Sequence, residues 1–199
     1  MTDAGSIWEI KRRKLQEPEE KMEPLVDLMG ELREISGGRT VPNFDPDDGG
    51  VDAEVLLLFQ DPGPKVEETT FISKDNPDPS ARRVKRIEKE VDLDRGRTVR
   101  WNVVPWQILD GDRKSEMKRV MEEKCLTHLL KKFEGRNLKA VALFGSSGVW
   151  AFADEVKKAR PDLEVFDTYH PGDRGVNRWP HVLPHIEKTY REIKDFLDR

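Results

Sequence analysis

The chain has 199 residues, 36% apolar and 37% charged, enough for one domain around one core and far more charged than the roughly 25% of an ordinary globular protein. The formal net charge of −4 is unevenly spread: residues 1–80 carry 9 Lys/Arg against 19 Asp/Glu, and residues 81–199 carry 26 against 20, which fits either one basic face or solvated helix faces rich in Lys and Arg. No apolar run exceeds about a quarter of the ~20 residues a membrane helix needs, and Met1 to Lys14 holds no apolar signal region, so membrane-spanning and secreted classes are set aside.

Between Pro18 and Ser36, apolar residues fall at Met22, Leu25, Val26, Met29, Leu32 and Ile35, the spacing of one helical face, and Gly37-Gly38 ends it. Thr40 to Gly50, with Pro42, Pro46, three Asp and Gly49-Gly50, reads as an extended loop. Residues 1–50 are thus expected to be a helical segment and loop packed on a core formed by residues 51–199. Four short apolar runs predict buried strands: Val55–Phe59, Val99–Val104, Ala140–Phe144 and Glu164–Asp167. Helical patterns lie between and after them, from Ser80 to about Val91, Ser115 to about Phe133, Ser147 to about Ala159 and Pro184 to Leu197. Alternation of this kind predicts an α/β fold, a three-layer α/β/α sandwich around a central four-stranded parallel sheet. The lone cysteine, Cys125, lies on the apolar face of its helix near Leu129 and reads as inert. It cannot form an internal disulfide or a cysteine-held zinc or iron–sulfur site, so chemistry without metal or cofactor in a reducing, cytoplasmic compartment is expected.

Ligands of open parallel sheets sit at the carboxyl ends of the strands. There the sequence places Gln60-Asp61-Pro62-Gly63-Pro64, Asn102 to Trp106, Gly145-Ser146-Ser147-Gly148 and Tyr169-His170-Pro171-Gly172. Asp61, Asn102 and His170, from three strand ends, form a candidate site. The carboxylate can orient water or stabilise positive charge, the amide can read a donor/acceptor edge, and the imidazole can stabilise a developing anion. Each has a plainer reading, as a turn residue, a backbone-satisfying amide or a loop cap. The Gly-Ser-Ser-Gly segment reads as a strand-to-helix turn, and Trp8, Trp101, Trp106 and Trp150 as packing residues.

Phe59-Gln60-Asp61-Pro62 and His170-Pro171-Gly172 resemble the two motifs of the uracil-DNA glycosylase superfamily, Gly-Gln-Asp-Pro-Tyr and His-Pro-Ser in its best-known branch. Trp101-Asn102-Val103-Val104-Pro105-Trp106 resembles the strand whose Asn recognises uracil, and Phe71-Ile72-Ser73 the segment whose Phe stacks on the base. The resemblance covers roughly residues 51–199. It departs at Gly63, where the best-known branch has a Tyr that excludes the thymine methyl group, and at Gly172, where a Ser would meet phosphate. With one cysteine, the branch holding an iron–sulfur cluster is excluded.

The resemblance implies a monofunctional DNA repair glycosylase that hydrolyses the N-glycosidic bond of uracil or a related deaminated base, leaving an abasic site. The nucleotide would be flipped out of the duplex. Phe71 would stack on it, Asn102 would read its O4/N3 edge and the main chain at Gln60 its O2 side. Asp61 would position water and face the cationic sugar, and His170 would face the anionic base. Gly63 would leave the cavity roomier. Gly172 through its N–H, Arg174 as the wedge and Arg178 at a phosphate would contact DNA, with Trp179 a packing anchor. Arg82-Arg83-Val84-Lys85-Arg86 reads equally as a DNA-path lining or an exposed basic helix face. The partner is DNA, with no membrane, and a monomer suits the task. Two rival readings stay open: a damaged-base-binding module of the same fold, and a hydrolase of free nucleosides.

Overall fold

A computed structural model describes residues 4–108 and 113–199, with side chains from residue 7 onward. The helices are α1 (Ala4–Gln16), α2 (Glu23–Ile35), α3 (Val66–Thr69), α4 (Pro79–Glu90), α5 (Arg113–Glu122), α6 (Cys125–Lys131), α7 (Ser147–Trp150), α8 (Phe152–Ala159), α9 (Asp173–Val176) and α10 (Val182–Leu197). The strands are β1 (Asn43–Phe44), β2 (Val55–Phe59), β3 (Phe71–Ile72), β4 (Thr98–Asn102), β5 (Ala140–Gly145) and β6 (Glu164–Tyr169).

Four strands form a parallel sheet in the order β4-β2-β5-β6. Its register pairs Phe59 with Asn102 and Gly145 with Tyr169, so all four strands end on one edge of the sheet. The period-2 pleat assigns the layers. Leu56, Leu58, Val99, Trp101, Val141 and Leu143 join one apolar cluster with α2, α6 and α8. Val55, Leu57, Ala140, Ala142 and Phe144 join the other with α4 and α10. Continuous apolar strands are what a sheet covered on both faces requires.

Several elements differ from expectation. The pattern over 115–133 is broken by Lys124, whose φ of 54° turns the chain between α5 and α6, and the pattern over 147–159 divides into α7 and α8. The helix expected from Pro18 begins at Glu23, with Pro24 in its first turn. The loop over 40–50 contributes β1, which pairs in parallel with β3. Val103 and Val104 fall outside β4, yet their N–H groups still donate to Phe59 O and Gln60 O at 2.8 and 2.9 Å.

Helix α1 was not expected from its sequence. The side chain it buries most completely is a lysine. Lys11 is 1% exposed; its ammonium reaches Asp45 at 2.5 Å, Asp47 at 2.8 Å and Asp75 at 3.4 Å. Asp75 also pairs with Arg95, which pairs with Asp45 and Asp48, and Arg100 joins Asp48 to Glu88. This ionic network fastens α1 and the loop over 40–50 to Asp75, Arg95 and Arg100. Among the described residues, no helix is long and apolar enough to cross a membrane.

Candidate active site at the strand ends

The strand ends open onto a cleft of two adjoining cavities. The first, of about 470 Å³, is lined by Asp61, Asn102 and His170 together with Phe59, Gly63, Ile72, Ser73, Asn76, Val84 and Arg100. The second, of about 630 Å³, is lined by Gln60, Arg113, Tyr169, Gly172, Arg174, Trp179 and His181. Asp61, Gly63 and His170 border both. The three side chains expected to converge do share one cavity.

Each is held by its local chain. Asp61 stands two residues past the end of β2; its Oδ1 accepts from Gln60 Nε2 at 2.7 Å and lies 3.4 Å from Arg113 Nε. Asn102 ends β4 at 5% exposure, and its Oδ1 is buried with no hydrogen-bond partner among the described residues. A buried acceptor left open costs free energy until a ligand donates to it. His170 follows β6, and its Nδ1 accepts the Gly172 N–H at 3.0 Å. An accepting Nδ1 places the proton of the neutral ring on Nε2. The ring is accessible from the cleft, but its walls desolvate it and lower its pKa from the ordinary 6.5, against the opposing pull of Asp61 and Asp78; Arg113 and Arg83 add to the lowering. The arrangement therefore combines a carboxylate, an open amide acceptor and a neutral imidazole donor.

Gly172 is required by that geometry. A Cβ there would lie 2.8 Å from His170 Nδ1 and 3.2 Å from Cε1, so any side chain would displace the ring. The Gly172 N–H expected to meet phosphate is already engaged by His170. At Gly63, by contrast, a Cβ would meet nothing within 4 Å, and the space in front of it belongs to both cavities.

Two further expectations, for Phe71 and Trp179, are corrected. Phe71 does not face the cavity: its ring is fully buried and stacks on Trp8, centroids 5.8 Å apart. Successive strand residues point to opposite sides, so the cavity wall at β3 is Ile72, with Phe59 supplying the aromatic ring nearest His170, edge-on at 6.1 Å. Gln60 lines the second cavity and turns its amide onto Asp61. Trp179 is not a packing anchor; it is 50% exposed and lines the second cavity. Arg174 lines the same cavity, and Arg178 lies over the Trp179 ring at 5.2 Å.

Some contributors went unread in the sequence. Arg83 donates to Pro171 O and pairs with Asp173 at 2.8 Å, anchoring the turn that carries His170. It belongs to the basic run over 82–86, most of which is consumed within the fold: Lys85 pairs with Asp75, and Arg86 with Glu90 and Glu187. Arg113 and Asn76 had no motif to mark them. Cys125 is buried, and desolvation pushes its thiol up to about 12, which keeps it unreactive. Among the described residues, no group of three or more His, Cys, Asp or Glu is arranged to hold a metal ion.

No family model matches the sequence, and no curated protein matches it. Solved structures do. The wild-type SMUG2 of Pedobacter heparinus is 12% identical, with a TM-score of 0.54 over 89% of this chain and 88% of that one. The wild-type UNG of Nitratifractor salsuginis is 14% identical, with a TM-score of 0.50 over 96% and 98% of the two chains. The chain shares the fold of these two structures.

Proposed function

Starting from that shared fold, we propose that the protein is a monofunctional DNA glycosylase that hydrolyses the N-glycosidic bond of uracil or a related deaminated base, leaving an abasic site. One observation carries this reading: Asp61, Asn102 and His170, from the ends of three separate strands, line a single cavity large enough to admit a nucleobase.

The chemistry follows the charges. A flipped base enters between Phe59, Ile72 and the 62–66 turn. Its N3–H fills the open Asn102 Oδ1, and the Asn102 amide N–H meets O4; cytosine, an acceptor at N3, is mismatched. As the C1′–N bond lengthens, the sugar gains oxocarbenium character and the base becomes anionic. The His170 Nε2–H donates to the base oxygen that gathers charge, while Nδ1 stays bonded to the Gly172 N–H. Asp61, its carboxylate steadied by Gln60, stabilises the sugar and orients the water that attacks C1′. Water suffices as the nucleophile. Of the two lysines on the cavity wall, Lys74 is paired with buried Glu88 at 2.7 Å and Lys65 with Glu68 at 2.6 Å.

Base release from single- and double-stranded oligonucleotides carrying uracil, hypoxanthine, xanthine or mismatched thymine tests the reading. Wild type is expected to generate alkali-labile sites at uracil, and Asp61→Asn to lose about 100-fold or more of that rate. Borohydride is expected to trap no covalent complex. Equal rates for wild type and Asp61→Asn would overturn the assignment.

A further inference from the structure

We propose that the second cavity is a subsite for the nucleobase adjacent to the excised one on an unpaired strand, stacked on Trp179, with the linking phosphate met by Arg113 and Arg174. The proposal rests on the glycosylase reading and extends it to the form of DNA engaged.

Four large apolar side chains are exposed among the described residues, Ile7, Ile10, Met121 and Trp179, and Trp179 is the one that lines the cleft. Its indole is half accessible and is polarised by the Arg178 guanidinium over it. Behind it the rings run in series: Trp179 to His181 at 6.4 Å, His181 to Tyr169 at 5.4 Å, Tyr169 to Trp150 at 5.6 Å. Trp150 is tied down by its Nε1–H donating to Thr168 O at 3.0 Å. An aromatic ladder with its base fixed and its last ring open is a stacking platform, and nucleobases of any identity offer it a π-face.

Charge and continuity select the ligand. Arg113 and Arg174 line this cavity: Arg113 is 63% exposed and lies 3.4 Å from the largely buried Asp61, leaving its outer face open to a phosphate, and Arg174 has no ion pair among the described residues. The cavity joins the first at Asp61, Gly63 and His170, so a ligand in both must turn at the atoms where the bond breaks. Two successive nucleotides, one in each cavity with a phosphodiester between the arginines, have that connectivity. A neighbour stacked on Trp179 has left its own helix stack, which favours a single strand over a duplex.

Binding is measured by anisotropy with a labelled nine-nucleotide strand containing 2′-fluorodeoxyuridine, whose glycosidic bond resists hydrolysis, and with the same strand carrying tetrahydrofuran spacers on both sides of it. Wild type is expected to bind the spacer strand about tenfold more weakly, the scale of one lost base–aromatic stack. Trp179→Ala is expected to bind both strands alike, and Trp179→Phe to restore most of the difference. Equal wild-type affinities, or a tenfold difference that survives in Trp179→Ala, would overturn the subsite. So would a neighbour effect larger in duplex than in single strands, which would assign Trp179 to filling the vacated stack. Base release from the ordinary deoxyuridine strand is scored separately. Neighbour-dependent binding without release overturns the glycosylase reading alone, and release without neighbour dependence overturns this subsite alone.

Discussion

At the scale of single residues, the chemistry depends on one imidazole tautomer and on the backbone amide that selects it. Because Gly172 N–H donates to His170 Nδ1 and desolvation lowers the ring's pKa, the ring should be neutral with its proton on Nε2 at pH 7. A nitrogen-15 NMR titration is expected to show that tautomer and a midpoint below the ordinary 6.5. The sign follows from the linkage: protonation places a hydrogen on Nδ1 facing the Gly172 N–H, so the arrangement is intact above the lowered pKa and is lost as pH falls through it. Gly172→Ser would bring a Cβ to 2.8 Å from Nδ1; it is expected to lower kcat by about tenfold or more and to abolish the tautomer preference. At Gly63 the outcome differs. A Cβ at Gly63 meets nothing within 4 Å and the position borders both cavities, so Gly63→Tyr is expected to fold, retain uracil release, and lose activity on thymine or 5-substituted bases, as base-release rates on matched strands would show.

At the scale of elements, two short turns depend on remote partners. The turn into α9 carries His170, and α9 itself has no buried residue; Arg83 of α4 holds the turn through Pro171 O and Asp173. Arg83→Ala is expected to raise amide exchange over residues 171–176 and to reduce kcat/KM, with the melting temperature little changed. Helix α1 depends on carboxylates 34 to 64 positions away. Breaking a buried ion pair costs ~3–5 kcal/mol because the partner charge is stranded, so Lys11→Ala should lower stability on that scale in urea unfolding. Acid should act through the same links. Desolvation raises the pKa of Asp47, but hydrogen bonds from Lys11 and Lys14 prevail and bring it from 3.8 down to about 2. A carboxylate lowered by folding contributes stability above its unfolded pKa and loses it as pH falls toward the folded value. Exchange protection in α1 should therefore decline between about pH 4 and pH 2.

At the scale of the whole molecule, the charge asymmetry between the two parts of the sequence is largely spent inside the fold. Arg95 and Arg100 answer Asp45, Asp48 and Asp75, Arg97 and Lys139 share Glu54, and Lys132 pairs with Glu31. Among the described residues, the arginines at the second cavity are Arg113, which is 63% exposed beside Asp61, and Arg174, with Arg178 over the Trp179 ring. DNA affinity should accordingly fall with salt, but with a log–log slope of only about −2 to −3, measurable by anisotropy between 50 and 200 mM salt. A slope near −6 or steeper would mean that a broad basic surface, rather than these few arginines, holds the DNA.

The sequence by itself determined the parallel α/β sandwich, because strands buried on both faces must be continuously apolar and their crossover helices must be amphipathic, and Val55–Phe59 and Ala140–Phe144 meet that demand without reference to anything distant. It also located Asp61 and His170 just beyond apolar runs, whereas Asn102 lies inside the run over Val99–Val104 and becomes a strand end because β4 stops there. Tertiary structure alone decided which side of β3 faces the cavity, placing Ile72 there and burying Phe71 against Trp8, because a two-residue strand has no pattern long enough to declare its inward face. It alone recruited Lys11, Arg83 and Arg113, whose partners are remote in the chain. A charged side chain reads as solvated until the fold supplies the opposite charge, and that supply is not encoded in any local period.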